Sequence, residues 1–233
     1  MMPKQLEVLS RTDDTISWRN AGDGIMACAG HAVRDDDGRV WIFDPVDGDQ
    51  LDDLISELGD DIAAVIVLLD RHLRGSVEVA ARLDVDLWFP EGSQRQDLPA
   101  LVRRYDTSIE GCPFEFIIVR QQEKRWLERA AWLPSRKLLI VAEAVGTVDY
   151  FLGGGDLELA VHPMMRAFPP TVFKGMTPER LLVGHGPPLE SDATEALELA
   201  LHDARRGLPR MAAHMPALVV AWAAAARDGR GNC

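Results

Sequence analysis

Residues 61–81, DIAAVIVLLDRHLRGSVEVAA, constrain this chain more than any other stretch. Residues 62–69 form an unbroken apolar run rich in β-branched side chains. Such a run is expected as a strand buried on both faces inside an α/β sheet. Asp70-Arg71-His72-Leu73-Arg74 follows at once, and Gly75-Ser76 then opens a helix whose Val77, Ala80, Ala81 and Leu83 share one face. An ionisable cluster at the carboxyl end of a buried strand, ahead of a helix, is where open α/β sheets place their sites. Taken alone, the same cluster reads as a solvated strand-to-helix turn.

The flanking segments predict a mixed α and β chain. Residues 7–9 and 15–19 read as short strands, and residues 25–33 as a longer apolar one. Asp35-Asp36-Asp37-Gly38 is a hairpin signal. Val40-Trp41-Ile42-Phe43 then returns as a strand ending in Asp44-Pro45. Residues 49–58 place Leu51, Leu54, Ile55 and Leu58 on one helix face, and Gly59 closes it. Further strands are expected at 87–90, 114–119, 126–133, 137–142 and 180–183. Residues 94–105 read as loosely helical around Pro99. Ser191 is expected to cap a helix through about residue 205, and residues 211–227 form a last helix with Pro216 inside it.

The chain has 233 residues, 47% hydrophobic and 27% charged, which fits one globular domain, residues 1–233, with a C-terminal helical extension at about 207–233. A formal net charge of −12 argues against nucleic acid as the partner, because phosphate contacts need clustered Lys and Arg. The apolar residues 217–226 are too few to span a bilayer, which takes about 20. No apolar leader is visible at the N-terminus, so a cytoplasmic setting and no membrane are expected. Cys28, Cys112 and Cys233 are far apart and odd in number, which suits neither a cysteine zinc site nor a disulfide framework. The expected partner is a small-molecule ligand or substrate, with a homo-oligomer possible through the apolar C-terminal helix.

Four segments in order resemble the metallo-β-lactamase fold. The first is the strand ending in Phe43-Asp44-Pro45. The second is the run up to Leu69 with its turn and helix, where the family usually shows Thr-His-x-His-x-Asp-His. The third is Ala142-Glu143-Ala144, in place of Gly-Asp-Ala. The fourth is Gly184-His185-Gly186, which matches the family's late Gly-His-Gly and precedes a helix. The resemblance covers about residues 25–201 and implies a four-layer αββα sandwich, within the α/β (α+β) class.

The resemblance also implies a dinuclear zinc hydrolase, and here the chain departs from it. Asp70 stands for the first His, His72 for the second, Arg74 for the Asp and Gly75 for the last His. Arg74 is a permanent cation and Gly75 has no side chain, so neither can ligate. No histidine lies between His72 and His162, where the family's third His is expected. The candidate site cluster is therefore Asp70, His72, Arg74, Glu143 and His185, with Arg74 expected to pair with Glu143 or Asp70 in the second metal's place. One reading is a member that has lost the dinuclear centre and holds no cofactor, acting in binding or regulation. The alternative is an atypical ester, thioester or phosphoester hydrolase with one zinc or other divalent metal on Asp70, His72, Glu143 and His185. His31 is expected to be a satisfied core histidine, and His162 a structural one.

Overall fold

The structure is a computed structural model that describes residues 5–22, 24–95, 97–100, 102–122 and 126–227, with side chains as far as residue 221. Four antiparallel strands open the chain: β1 (Leu6–Arg11), β2 (Thr15–Asn20), β3 (Ala29–Arg34) and β4 (Val40–Phe43). Helix α1 (Leu51–Ser56) crosses over to β5 (Ile62–Ile66), and α2 (Ser76–Leu83) crosses to β6 (Asp86–Pro90). A last parallel strand, β7 (Arg103–Tyr105), completes a seven-stranded sheet in chain order. Next come β8 (Glu115–Gln122), β9 (Trp126–Leu133) and β10 (Leu138–Val141), then the short pair β11 (Val145–Gly146) and β12 (Ala160–Val161), with α3 (Asp149–Leu152) between them. Strand β13 (Arg180–Val183) runs parallel to β10 and gives the second sheet the order β13-β10-β9-β8. Helices α4 (Ala193–Arg206) and α5 (Leu208–Arg227) close the chain.

Alternation along the central strands explains the layering. In β4 and β5, Trp41, Phe43, Ala64 and Ile66 face the second sheet, within a core completed by Phe116, Ala131, Leu139 and Leu182. Their neighbours Val40, Ile42 and Val65 face the other way, onto Leu51, Leu54 and Ile55 of α1 and Val79 and Ala80 of α2. The strands are buried on both faces, as the unbroken apolar runs require. Helix α4 covers the second sheet with Ala193, Leu197, Ala200 and Ala204. The result is the expected αββα sandwich.

The two sheets are joined at one end. Ala29 N–H donates to Gly184 O at 2.9 Å, and Gly186 N–H to Ala27 O at 2.9 Å. Arg129 N–H donates to Leu68 O at 2.8 Å, and Asp70 N–H to Leu127 O at 3.1 Å. Buried His31 crosses between the sheets, with Nδ1 2.8 Å from Ser17 Oγ and Nε2 3.1 Å from Val183 O. It is the satisfied core histidine expected from the sequence.

Several boundaries differ from the sequence reading. The apolar stretch at 25–33 becomes a strand only from Ala29, because Ala27 takes a positive φ of 39°. No helix forms among the described residues of 94–105, where β7 adds to the sheet edge instead. Asp192 at φ 55°, not Ser191, stands at the start of α4. Pro216 lies inside α5 without dividing it. Cys112 carries a free thiol, Cys28 is disulfide-bonded and Cys233 lies outside the described residues. A bonded Cys28 departs from the expectation that these cysteines would form no disulfide framework. Among the described residues, no helix is long and apolar enough to cross a membrane.

Gly184 shows how tightly the sheet ends are fitted. A Cβ there would stand 2.2 Å from the carbonyl oxygen of Ala142, a backbone atom that cannot step aside. Gly184→Ala is expected to lower unfolding free energy by about 1–3 kcal/mol, the range for overpacking a dense interior. Urea denaturation measures it, and an unchanged midpoint would show that the strand ends are not in this contact.

Candidate functional site

The joined end gathers four strand ends. Asp44 follows β4, the turn 70–74 lies beyond β5, Glu143 follows β10 and His185 lies past β13. One ligand atom from each of His72, Glu143 and His185 falls within 4.8 Å of the others, and all three residues are buried.

The two imidazoles meet at Nε2, 3.2 Å apart. Their other nitrogens settle the tautomers, which follow here from hydrogen-bond partners. His185 Nδ1 lies 2.9 Å from the carbonyl of Met26, which only accepts, so Nδ1 carries the hydrogen. His72 Nδ1 lies 3.1 Å from Asp44 Oδ2, and Asp44 Oδ1 accepts from Leu68 N–H at 2.8 Å. Burial pushes the Asp44 carboxyl up to about 6, so it remains a carboxylate at neutral pH and His72 Nδ1 donates to it. Both Nε2 atoms therefore present lone pairs to the same small space. Two nitrogens each about 2.05 Å from one tetrahedral ion would be about 3.3 Å apart. The pair thus has the spacing and the outer hydrogen bonds of metal-binding histidines.

Arg74 borders the same space. Its guanidinium donates to Ala29 O at 2.6 Å, Asp44 O at 3.1 Å and Gly184 O at 3.0 Å. One NH₂ group also stands 3.4 Å from His72 Nε2. Arg74 holds a left-handed φ of 43°, a conformation that costs a non-glycine residue about 1–2 kcal/mol. Hydrogen bonds from a charged donor contribute about 1.5–3 kcal/mol each, so its three carbonyl contacts outweigh that cost.

Glu143 is held from two sides. Its backbone N–H and that of Ala144 donate to Glu128 Oε1, at 2.8 and 2.9 Å, while Trp126 Nε1 donates to Glu128 Oε2 at 2.7 Å. The Glu143 side chain accepts from Arg71 at 2.5 Å, and the Arg71 guanidinium lies 4.3 Å over the Trp126 ring. His162 Nε2 is 3.6 Å from Glu143 Oε1. Its Nδ1 accepts from Met164 N–H at 3.2 Å, so Nε2 carries the hydrogen and faces the carboxylate. Phe151 stacks on His185 with centroids 5.4 Å apart.

His72, Arg74, Glu143 and His185 come together as the sequence suggests, but two expectations need correction. Arg74 pairs with neither Glu143 nor Asp70; its guanidinium is committed to backbone carbonyls, and Arg71 makes the ion pair with Glu143. Asp70 lies outside the metal-competent group, because its chain pairs with β9 and its carboxylate accepts from Leu127 N–H at 3.4 Å. His162, expected from the sequence to be structural, stands beside Glu143 at the edge of the site. It reaches the site because its N–H bonds to Ala144 O at 2.9 Å, continuing the pairing of β12 with β11. The short apolar run before it, Leu159-Ala160-Val161, was the available signal.

The positions at which the chain departs from the family's ligand pattern are filled in other ways. Asp70 is turned away, a guanidinium borders His72, and a Cβ on Gly75 would meet Asp47 Cβ at 2.5 Å, leaving no space for a larger ligand. A single ion fits the donors better: His72 Nε2 and His185 Nε2 converge, and Glu143 stands near.

No family model matches the chain, and no curated protein matches it. Solved structures do. The DIM-1 metallo-β-lactamase aligns with TM-score 0.64 at 15% identity, over 88% of this chain and 99% of that one. TMB-1 aligns with TM-score 0.59 at 16% identity, over 87% and 98%. A fragment of a putative diflavin flavoprotein A 5 from Nostoc sp. PCC 7120 aligns with TM-score 0.57 at 13% identity, over 88% and 98%. At such identities the likeness is one of fold.

The buried histidines make stability depend on acid. Burial pushes His31 down to about 4 and His162 down to about 3. Burial, with Arg74 nearby, also holds His72 and His185 well below the ordinary range. Below about pH 6.5 the unfolded chain binds protons on these four imidazoles and the folded chain does not. Asp44, raised to about 6, and Glu128, raised to about 7, act oppositely, because burial lets them keep protons that the unfolded chain releases. The four imidazoles outnumber the two carboxyls, so the unfolded chain holds more protons and unfolding free energy should fall from pH 6 to pH 5, by a few kcal/mol. Denaturation at pH 7, 6 and 5 measures it; stability that is flat or rising toward acid would contradict neutral buried imidazoles.

Proposed function

For a chain with the metallo-β-lactamase fold and this cluster, we propose a non-catalytic, binding or regulatory role in which the dinuclear centre has been lost. The observation that carries the reading is the seat of Arg74. Two unit charges about 4 Å apart at an effective dielectric near 20 interact by about 4 kcal/mol, and a divalent ion beside a guanidinium would feel about twice that. The ligand would be a small molecule received at the joined sheet ends. Nucleic acid and membrane are not the partners proposed, and copies of the chain would meet along α5, where Val219 and Val220 are exposed.

The second reading is a single-ion hydrolase, favoured by the 3.2 Å separation of the two Nε2 atoms. His72, His185 and Glu143 would hold the ion, which would supply an activated water for ester, thioester or phosphoester cleavage. Asp44 and the Met26 carbonyl would fix the imidazole tautomers.

Metal analysis separates the readings. Protein purified without chelator is expected to carry well under one equivalent of zinc, iron or manganese. Near one equivalent, with metal-dependent hydrolysis lost in His72→Ala and His185→Ala, would favour the enzyme; two equivalents would overturn both readings.

Arg74→Ala tests the seat itself. It strands carbonyls that share one charged donor, so a loss of about 2–4 kcal/mol is expected in urea unfolding. A change near zero would mean that the guanidinium does not hold the strand ends together.

A further inference from the structure

The two arginines of the turn are placed differently, and the difference bears on whether this chain binds an ion at all. Arg74 is held by carbonyls from three strand ends. Arg71 has a side chain 42% exposed and lies over one face of Trp126. Its partner is the fixed member of the pair: Glu143 has a side chain 10% exposed, and Glu128 holds its backbone. We propose that Arg71 is an intramolecular competitor for Glu143, occupying the carboxylate that would otherwise complete a one-ion site with His72 and His185. The inference rests on the metal-free reading above and deepens it by naming a second arginine that opposes the ion, at the carboxylate rather than at the imidazoles.

The geometry supports competition rather than simple bracing. Glu143 already lies with one carboxylate oxygen within 4.8 Å of a ring nitrogen of each imidazole, so only a side-chain adjustment separates it from that pair. The two nitrogens are already at the spacing of ligands on one tetrahedral ion. Oε2 accepts from Arg71, and Oε1 faces the N–H of His162. While Arg71 stays, the carboxylate's charge is neutralised and its nearest donor is a guanidinium. When Arg71 swings toward solvent, a buried carboxylate is left beside two inward-facing lone pairs, and a divalent cation answers all three. Two histidines and one carboxylate with open positions suit zinc, and also cobalt or manganese. Arg74 remains in either state, which fixes the site at one ion.

The test compares full-length wild type, Arg71→Ala and Arg71→Lys, each titrated with Zn²⁺ alone by chelator competition and with Co²⁺ alone by visible absorption. Arg71→Ala is expected to bind one equivalent about 10–100-fold more tightly than wild type, the scale on which groups around a ligand alter metal affinity. Arg71→Lys keeps a cation at the carboxylate and should stay closer to wild type. Arg71→Ala combined with Glu143→Gln should lose the gain. Because Arg71 is half-exposed, thermal unfolding of Arg71→Ala should remain cooperative, and Arg82→Ala, a surface substitution on α2, controls for lost positive charge. Equal affinity in wild type and Arg71→Ala, whether tight or absent, would overturn the competitor role. Two equivalents in the wild type would overturn the metal-free reading whatever Arg71→Ala shows. A gain that survives Glu143→Gln would show that Arg71 acts through its charge and not by holding that carboxylate.

Discussion

Carbonyl oxygens of Ala29, Asp44 and Gly184 all point to one place, and a single guanidinium accepts the task of pairing with them. The constraint comes from topology. Parallel and antiparallel strands of two sheets end together here, and strand ends leave backbone groups without ladder partners. A buried carbonyl without a donor is costly, so the position must be filled by donors. Arg74 supplies them from the turn that follows the central strand. That choice has a chemical consequence: a guanidinium serves oxygen acceptors well and contributes nothing a metal could use. It stabilises the backbone of the site, and one of its NH₂ groups also stands 3.4 Å from the His72 Nε2 lone pair.

Two buried carboxylates then organise the remaining groups in the same manner. Asp44 takes the Leu68 N–H on one oxygen and orients His72 with the other. Glu128 takes the N–H groups of Glu143 and Ala144 on one oxygen and Trp126 Nε1 on the other. Burial raises both carboxyls, to about 6 and about 7, yet the donors hold their oxygens in place. Asp44 aligns its candidate ligand through the ring of His72, and Glu128 aligns Glu143 by holding its backbone N–H. Backbone N–H groups therefore contribute as much to the site's geometry as the side chains that face one another.

The layers were legible because apolar periodicity reports burial directly. The runs at 62–69 and 138–142 announced strands covered on both faces, and β5 and β10 lie inside their sheets with a strand on either side. The convergence of His72, Glu143 and His185 was legible from their order at strand ends. The assignment of the two arginines was not. Arg71 and Arg74 are three residues apart in one turn, and which reaches Glu143 depends on the left-handed backbone at Arg74. Position in a linear alignment carries no such information. Asp70 misled for a related reason: the chain continues pairing beyond β5, with Leu69 bridged to Glu128, and this turns the Asp70 carboxylate toward Leu127. Glu128 looked like one charge in the strand expected at 126–133. Only the packing of β9 against β10 and β8 shows that it is wholly buried and why it must accept hydrogen bonds.

Fold and chemistry separate at the level of single side chains here. The sandwich needs strand ends that meet, glycines where backbones touch, and donors for the exposed carbonyls. Gly184 meets the second need and Arg74 the third, and neither requirement mentions a metal. A dinuclear centre needs in addition that anionic or neutral donors replace the cation and that the Gly75 position admit a side chain. Asp47 stands in that space. The backbone around 45–47 is tied to the turn by Gly75 N–H donating to Pro45 O at 3.1 Å, so a larger residue at 75 would have to move the loop after β4. Restoring ligands one at a time would therefore be opposed by packing before coordination could reward it. The one-ion arrangement needs no movement of that loop, since its three donors already stand together, with Arg71 paired to Glu143 and Arg74 beside His72.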